Sequence, residues 1–118
     1  MEHFKDSEFK CCDECGKGRG DIRIESLVKL EDAREIAGVP FILNSSIRCK
    51  KHNAEVGGRE FSSHITGAFD IACTNSQQRF KIVRGLIIAG FTRIGIAKTF
   101  IHADDEVTKP AGVIWLYK

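Results

Sequence analysis

Apolar and polar positions change period several times along the chain, and each change marks an element. The stretch IRIESLVKLEDAREIAG carries an imperfect apolar stripe at helical spacing, with Asp21 placed to cap its start and Gly38 followed by Pro40 placed to stop it. Phe41, Ile42 and Leu43 form a short apolar run that predicts a buried strand, delivering Asn44 to Arg48 to its end. Lys50 to Val56 predicts a short helix closed by Gly57 and Gly58. From Ala68 to Cys73 the period drops to two, so Asp70 sits on a strand with its side chain facing away from Phe69. Thr74 and Gln77 fit a capping box that opens a second long helix, whose apolar residues Phe80, Val83, Leu86 and Ile87 run at helical spacing to Gly90. Three β-rich runs close the chain, FTRIGIA, TFIHA and GVIWLYK, separated by Lys98 and Thr99 and by the acidic, proline-containing DDEVTKPA turn.

Helices interleaved with short strands predict an α+β fold, a small and mainly antiparallel sheet with two main helices. A chain of 118 residues supports one domain with one core, spanning 1–118, in which residues 1–20 form a cysteine-containing N-terminal loop. Apolar residues make up 42% and charged residues 29%, an ordinary soluble composition, and a formal net charge of +2 is too small to argue for a nucleic-acid partner. No apolar run approaches the roughly 18 residues of a membrane span. The opening MEHFKDSEFK has acids where a signal peptide would be hydrophobic, so the expectation is a cytoplasmic protein at synthesis with no membrane partner, and a monomer. Five cysteines cannot all pair within the chain, and with no export signal the reduced state is the expectation.

The side chains able to do chemistry are concentrated between Asn44 and Ala72, where Arg48, His52, Ser62, His64 and Asp70 occur, and His102 follows in TFIHADD. Two histidines and a carboxylate from separate segments are what an open zinc site requires, because three protein ligands leave a fourth position for water. Each residue taken singly has a plainer reading: His64 as a hydrogen-bonded loop histidine, His102 as a core histidine, Asp104 and Asp105 as a solvated turn. Inside an apolar strand, however, an ionised Asp70 needs a partner, and a metal is one. Cys12 and Cys15 have the Cys-x-x-Cys spacing that wraps a metal or closes a redox disulfide, and Cys49 and His52 repeat it. These four are candidates for a second, structural zinc; the alternative is buried thiols beside a surface histidine.

The ordered motifs Asn44-Ser-Ser-Ile-Arg48-Cys, His52-Asn-x-x-Val-Gly-Gly, Ser62-x-His64-x-x-Gly67, Asp70 and Phe100-Ile-His102-Ala-Asp104 resemble the zinc D-Ala-D-Ala carboxypeptidase family, in particular its small phage-type members, which share a fold with the Hedgehog signalling domain. The likeness runs from about Phe9 to Tyr117. It implies zinc bound by His64, Asp70 and His102, Arg48 holding a substrate carboxylate or carbonyl, and a peptidoglycan stem peptide as substrate, cut by a zinc-activated water at the bacterial cell wall. Ser62 is a candidate substrate contact. Two departures stand out. Asp70 follows His64 by six positions rather than the family's seven, a step that a bulge or the Gly67 turn must absorb. The family's catalytic acid or histidine just before the late histidine is replaced by Thr99 and Phe100. Asp104, two residues beyond His102 on the same strand face, is therefore the expected proton acceptor, with His52 as its rival. A zinc-containing binding module without turnover is the alternative function; a zinc-ribbon nucleic-acid binder is disfavoured by the modest charge.

Overall fold

The computed structural model describes Phe4 and residues 24–45, 68–106 and 109–117. These residues form, in chain order, α1 (Ile24–Ala37), β1 (Leu43–Ser45), β2 (Phe69–Ala72), α2 (Ser76–Ala89), β3 (Arg93–Ile96), β4 (Phe100–Asp104) and β5 (Val113–Leu116). The strands make one five-stranded sheet in the order β1-β2-β4-β3-β5, in which three pairings are antiparallel and the β3–β5 pairing is parallel. This is the α+β fold with a mostly antiparallel sheet that the pattern predicts. The parallel β5 is the exception: the DDEVTKPA turn does not return the chain beside β4 but carries it past β3 to the sheet edge.

Helix α1 starts with Glu25 in its first turn and ends with Arg34 in its last, both favourable to the helix dipole. Gly38 terminates it at φ +70°, a conformation suited to glycine, and its N–H donates to the Arg34 carbonyl. Ser26, Leu30, Ala33 and Ala37 are buried at helical spacing, together with Leu27. Helix α2 is capped by Asn75, not by Thr74: the Asn75 side chain accepts from the Gln78 N–H at 2.9 Å. At its other end Gly90 is left-handed, and the N–H groups of Gly90 and Phe91 donate to the carbonyls of Ile87 and Leu86.

The buried face of α2 also differs from the expected one. Ile82, Gly85 and Leu86 are buried, whereas Phe80 is 70% and Ile87 50% exposed. The run KIVRGLIIAG is apolar almost all round, so periodicity alone cannot choose a face. The choice is made by α1: a Cβ built on Gly85 would lie 2.6 Å from the Ala33 carbonyl oxygen and 3.1 Å from the Ala37 Cβ. The helices thus meet where their side chains are smallest. Together they cover one face of the sheet, and Leu30, Phe41, Phe69, Ile71, Ile82, Leu86, Ile94 and Ile101 form the core between the layers. The apolar run 41–43 is split, with Phe41 buried and Ile42 exposed.

Gly85→Ala should destabilise the protein by about 1–3 kcal/mol through overpacking against α1, despite a helix-propensity gain of up to about 1 kcal/mol. Urea denaturation measures it, and a variant as stable as the wild type would mean that the helices do not approach so closely.

Candidate metal centre

Strand alternation sorts the sheet residues onto two faces. Phe69 pairs with Ala103, Ile71 with Ile101, and Ile94 with Ala103, all on the helix-covered side. The intervening pairs belong to the opposite face: Asp70 is paired with His102, His102 with Gly95, and Gly95 with Trp115. One row across four strands therefore carries an acid, a histidine, a glycine and a tryptophan. Ser45 at the end of β1 also pairs with Asp70, across a register irregularity. Between Ser45, which is paired with Asp70, and Ala68, two positions before Asp70, the chain carries Arg48, His52, Ser62 and His64.

The histidine lies between two carboxylates. His102 Nδ1 lies 3.0 Å from Asp70 Oδ1 and Nε2 lies 2.6 Å from Asp104 Oδ2, both at hydrogen-bonding distance. His102 is 7% and Asp104 only 1% exposed. The other Asp104 oxygen accepts from the Glu106 backbone N–H at 3.0 Å and lies 3.0 Å from Arg93 Nε, close enough for charge pairing but off the line of a hydrogen bond. Arg93 is held in turn by the Pro110 carbonyl, which accepts from its Nη1 at 2.6 Å, and by the Trp115 ring, whose centroid is 5.1 Å from the guanidinium carbon. Trp115 also packs 5.4 Å from the His102 ring. It reaches that place because Gly95 has no side chain, since a Cβ there would lie 2.6 Å from the Trp115 and Tyr117 rings.

Burial by itself would push the His102 pKa down; the hydrogen bonds to Asp104 and Asp70, with the charges of both, more than offset it and raise it above 6.5. Burial by itself would raise the Asp104 pKa, but the His102 hydrogen bond, the Glu106 N–H and the charges of His102 and Arg93 hold it below 3.8.

Three of the side chains expected from the sequence meet here. Asp70 and His102 face each other as neighbouring strand residues, and Asp104 shares the His102 side of β4. Asp104 and Asp105 do not form a solvated turn. Both are buried, and Asp105 accepts from Ser26 Oγ at 3.0 Å and pairs with Lys29 Nζ at 2.9 Å, which ties the end of β4 to α1. Cys12, Cys15, Arg48, Cys49, His52, Ser62 and His64 lie outside the described residues, as does the short helix expected at 50–56. Arg93 and Gly95 were not anticipated; the signal available was their period-2 placement in FTRIGIA, which aligns them with the chemistry of β4.

Among the described residues no three His, Cys, Asp or Glu side chains converge as a metal-holding group. Asp70 and His102 supply two donors suited to one. Ligands about 2.0–2.1 Å from a tetrahedral zinc stand roughly 3.3 Å apart, and Asp70 Oδ1 and His102 Nδ1 are 3.0 Å apart. An imidazole nitrogen and a carboxylate oxygen are also the ligand types zinc accepts.

The sheet thus lines up an acid and a histidine on adjacent strands. The family model for peptidase M15 matches residues 2–104. The chain belongs to that family, the zinc D-Ala-D-Ala carboxypeptidase family, and is by membership a peptidase. A comparison with the curated proteins finds no match. Among the described residues no helix is long and apolar enough to cross a membrane.

The pKa directions give a stability profile for the metal-free protein. His102, raised when folded, contributes stability that is full below about 6.5 and is lost as pH rises through its folded pKa. Asp104, lowered when folded, contributes stability present above about 3.8 and lost as pH falls through its folded pKa. Thermal melts of metal-free protein across pH should fall on both sides, and His102→Gln should remove the alkaline fall. An alkaline fall of unchanged size in that variant would place its origin elsewhere.

Proposed function

We propose that the chain is a zinc-dependent hydrolase of peptide bonds in peptidoglycan stem peptides, of D-Ala-D-Ala carboxypeptidase or endopeptidase type. In this reading it works as one domain, 1–118, and as a monomer at the bacterial cell wall. The observation that carries the reading is the Asp70–His102 pair, 3.0 Å apart across β2 and β4, in a chain of the M15 family. His64 completes the ligand set with Asp70 and His102. When bound, zinc supplies a Lewis acid and a water of lowered pKa.

The chain's own residues do the rest. Arg48 holds a substrate carboxylate or carbonyl in its planar fork, and Ser62 adds a hydrogen bond that orients the peptide. A proton must leave the attacking water and reach the departing amine. Of the two acceptors expected from the sequence, Asp104 has contacts on both oxygens and is buried, which favours His52 for the acceptor role over Asp104. In the structural site, Cys12, Cys15 and Cys49 bind a second zinc, and His52 is its fourth ligand only if it is not the acceptor.

Purified protein loaded with zinc should release D-Ala, or expose a new amino terminus, from purified peptidoglycan, and chelation should abolish this. His64→Ala and Asp70→Ala should each remove one equivalent of zinc and the activity. A zinc-loaded wild type that leaves every stem peptide intact would turn the reading to a binding module. His52→Ala is expected to keep its zinc and lose at least about a hundredfold in turnover; loss of one zinc equivalent instead would make His52 a structural ligand.

Cys15→Ser tests the structural site separately. It should lower the zinc content by one equivalent and lower the melting temperature, because metal bound only by the folded chain contributes folding free energy. A variant melting like the wild type with its zinc complement intact would return these cysteines to the role of thiols.

A further inference from the structure

We propose that Asp104 is a positioning residue: its carboxylate holds the Nε2–H of His102, so that the ring presents Nδ1, beside Asp70, to the metal. This rests on the zinc reading above. A histidine ligand has two nitrogens, and the hydrogen bond made by one decides which tautomer is present and which nitrogen is left to ligate. In His102 the two are already distinguished. Nδ1 is 3.0 Å from the other expected ligand, Asp70, and Nε2 is 2.6 Å from Asp104, the shorter contact.

Asp104 is built to stay where it is. Its backbone is paired with Arg93 in the β3–β4 ladder, and its second oxygen takes the Glu106 N–H and the Arg93 charge. Arg93 is anchored at its far end by the Pro110 carbonyl and rests on Trp115, which also meets the His102 ring. The line from Pro110 through Arg93 and Asp104 to His102 therefore fixes the ring from behind. Asp104 acts through His102 and not on the substrate, and Arg93 keeps its buried carboxylate charged and directed.

The test compares zinc-loaded and metal-free protein of the wild type, Asp104→Ala and Asp104→Asn. Zinc affinity is measured by competition with a chelator and followed by the emission of Trp115, the chain's one tryptophan. The nitrogen resonances of its four histidines report which ring nitrogen of His102 carries the proton. In zinc-loaded wild type the expected result is a protonated, exchange-protected Nε2. Asp104→Ala should bind zinc about 10–100-fold more weakly and lose that protection, whereas Asp104→Asn, whose carbonyl can accept the same N–H, should stay near the wild-type affinity. Wild-type affinity in both variants, with turnover lost in both, would make Asp104 the direct proton acceptor and overturn the inference. So would a zinc-loaded wild type with the proton on Nδ1, a result that needs no variant to fold. A wild type that binds no zinc overturns the functional reading itself, an outcome distinct from either.

Discussion

The register of β2 on β4 is the constraint on which the rest depends. Phe69 and Ile71 on one strand and Ile101 and Ala103 on the other are all fully buried beneath the helices, so a slip by one residue would turn this apolar set outward and drive Asp70 and His102 into the core. The apolar layer therefore specifies the polar one. Asp70 faces His102 because the residues on either side of each have nowhere else to go. A pair of ionisable groups gets its geometry from hydrophobic burial rather than from its own attraction, which desolvation would largely cancel.

The same strand then carries two buried carboxylates in succession, and their alternation sends them to different partners. Asp104 meets His102 and Arg93 on the site face, while Asp105 meets Ser26 and Lys29 of α1. An unpaired carboxylate at this depth would be costly, and each is instead matched by a cation and a further donor. The end of β4 is thereby pinned to the helix layer within one residue of the group that holds the histidine. Breaking either cluster would leave a buried charge behind, so both act as locks on where β4 ends.

Beyond Asp104 the site is supported by residues with no reactive chemistry of their own. Gly95 clears the ground for Trp115, Trp115 carries Arg93, and Arg93 carries Asp104. This path runs from the parallel edge strand β5 back to the centre of the sheet, which gives the unexpected parallel pairing a consequence for the site: it brings Trp115 level with Gly95 and His102. A functional centre held by packed strands in this way keeps its geometry better than one carried on loops. Ser45, after which the chain carries the remaining candidate groups, is paired with Asp70.

Much of this was legible in the chain itself. Period-2 alternation placed Asp70 on a strand facing away from Phe69, and the spacing of His102 and Asp104 put them on one face, because strand periodicity is a local property that a short sequence carries in full. The ordered motifs pointed to the family for the same reason: they are strings of residues, and strings can be read. What the sequence left open was every choice between equivalent local solutions. The second half of helix α2 is apolar on several sides, and only the close approach at Gly85 selected Ile82 and Leu86 for the core over Phe80 and Ile87. Thr74 and Asn75 are both able to cap a helix, and the fold used Asn75. The aspartates of TFIHADD resembled a solvated turn because their partners, Arg93, Ser26 and Lys29, lie 11 to 79 positions away, beyond the reach of any local pattern. Strand order has the same character: nothing between Asp104 and Val113 states that β5 runs parallel to β3, since that depends on which edge remains open once the other strands have paired. Local periodicity thus decided what each segment is, and burial against distant segments decided which side of it faces in and what its charged groups touch.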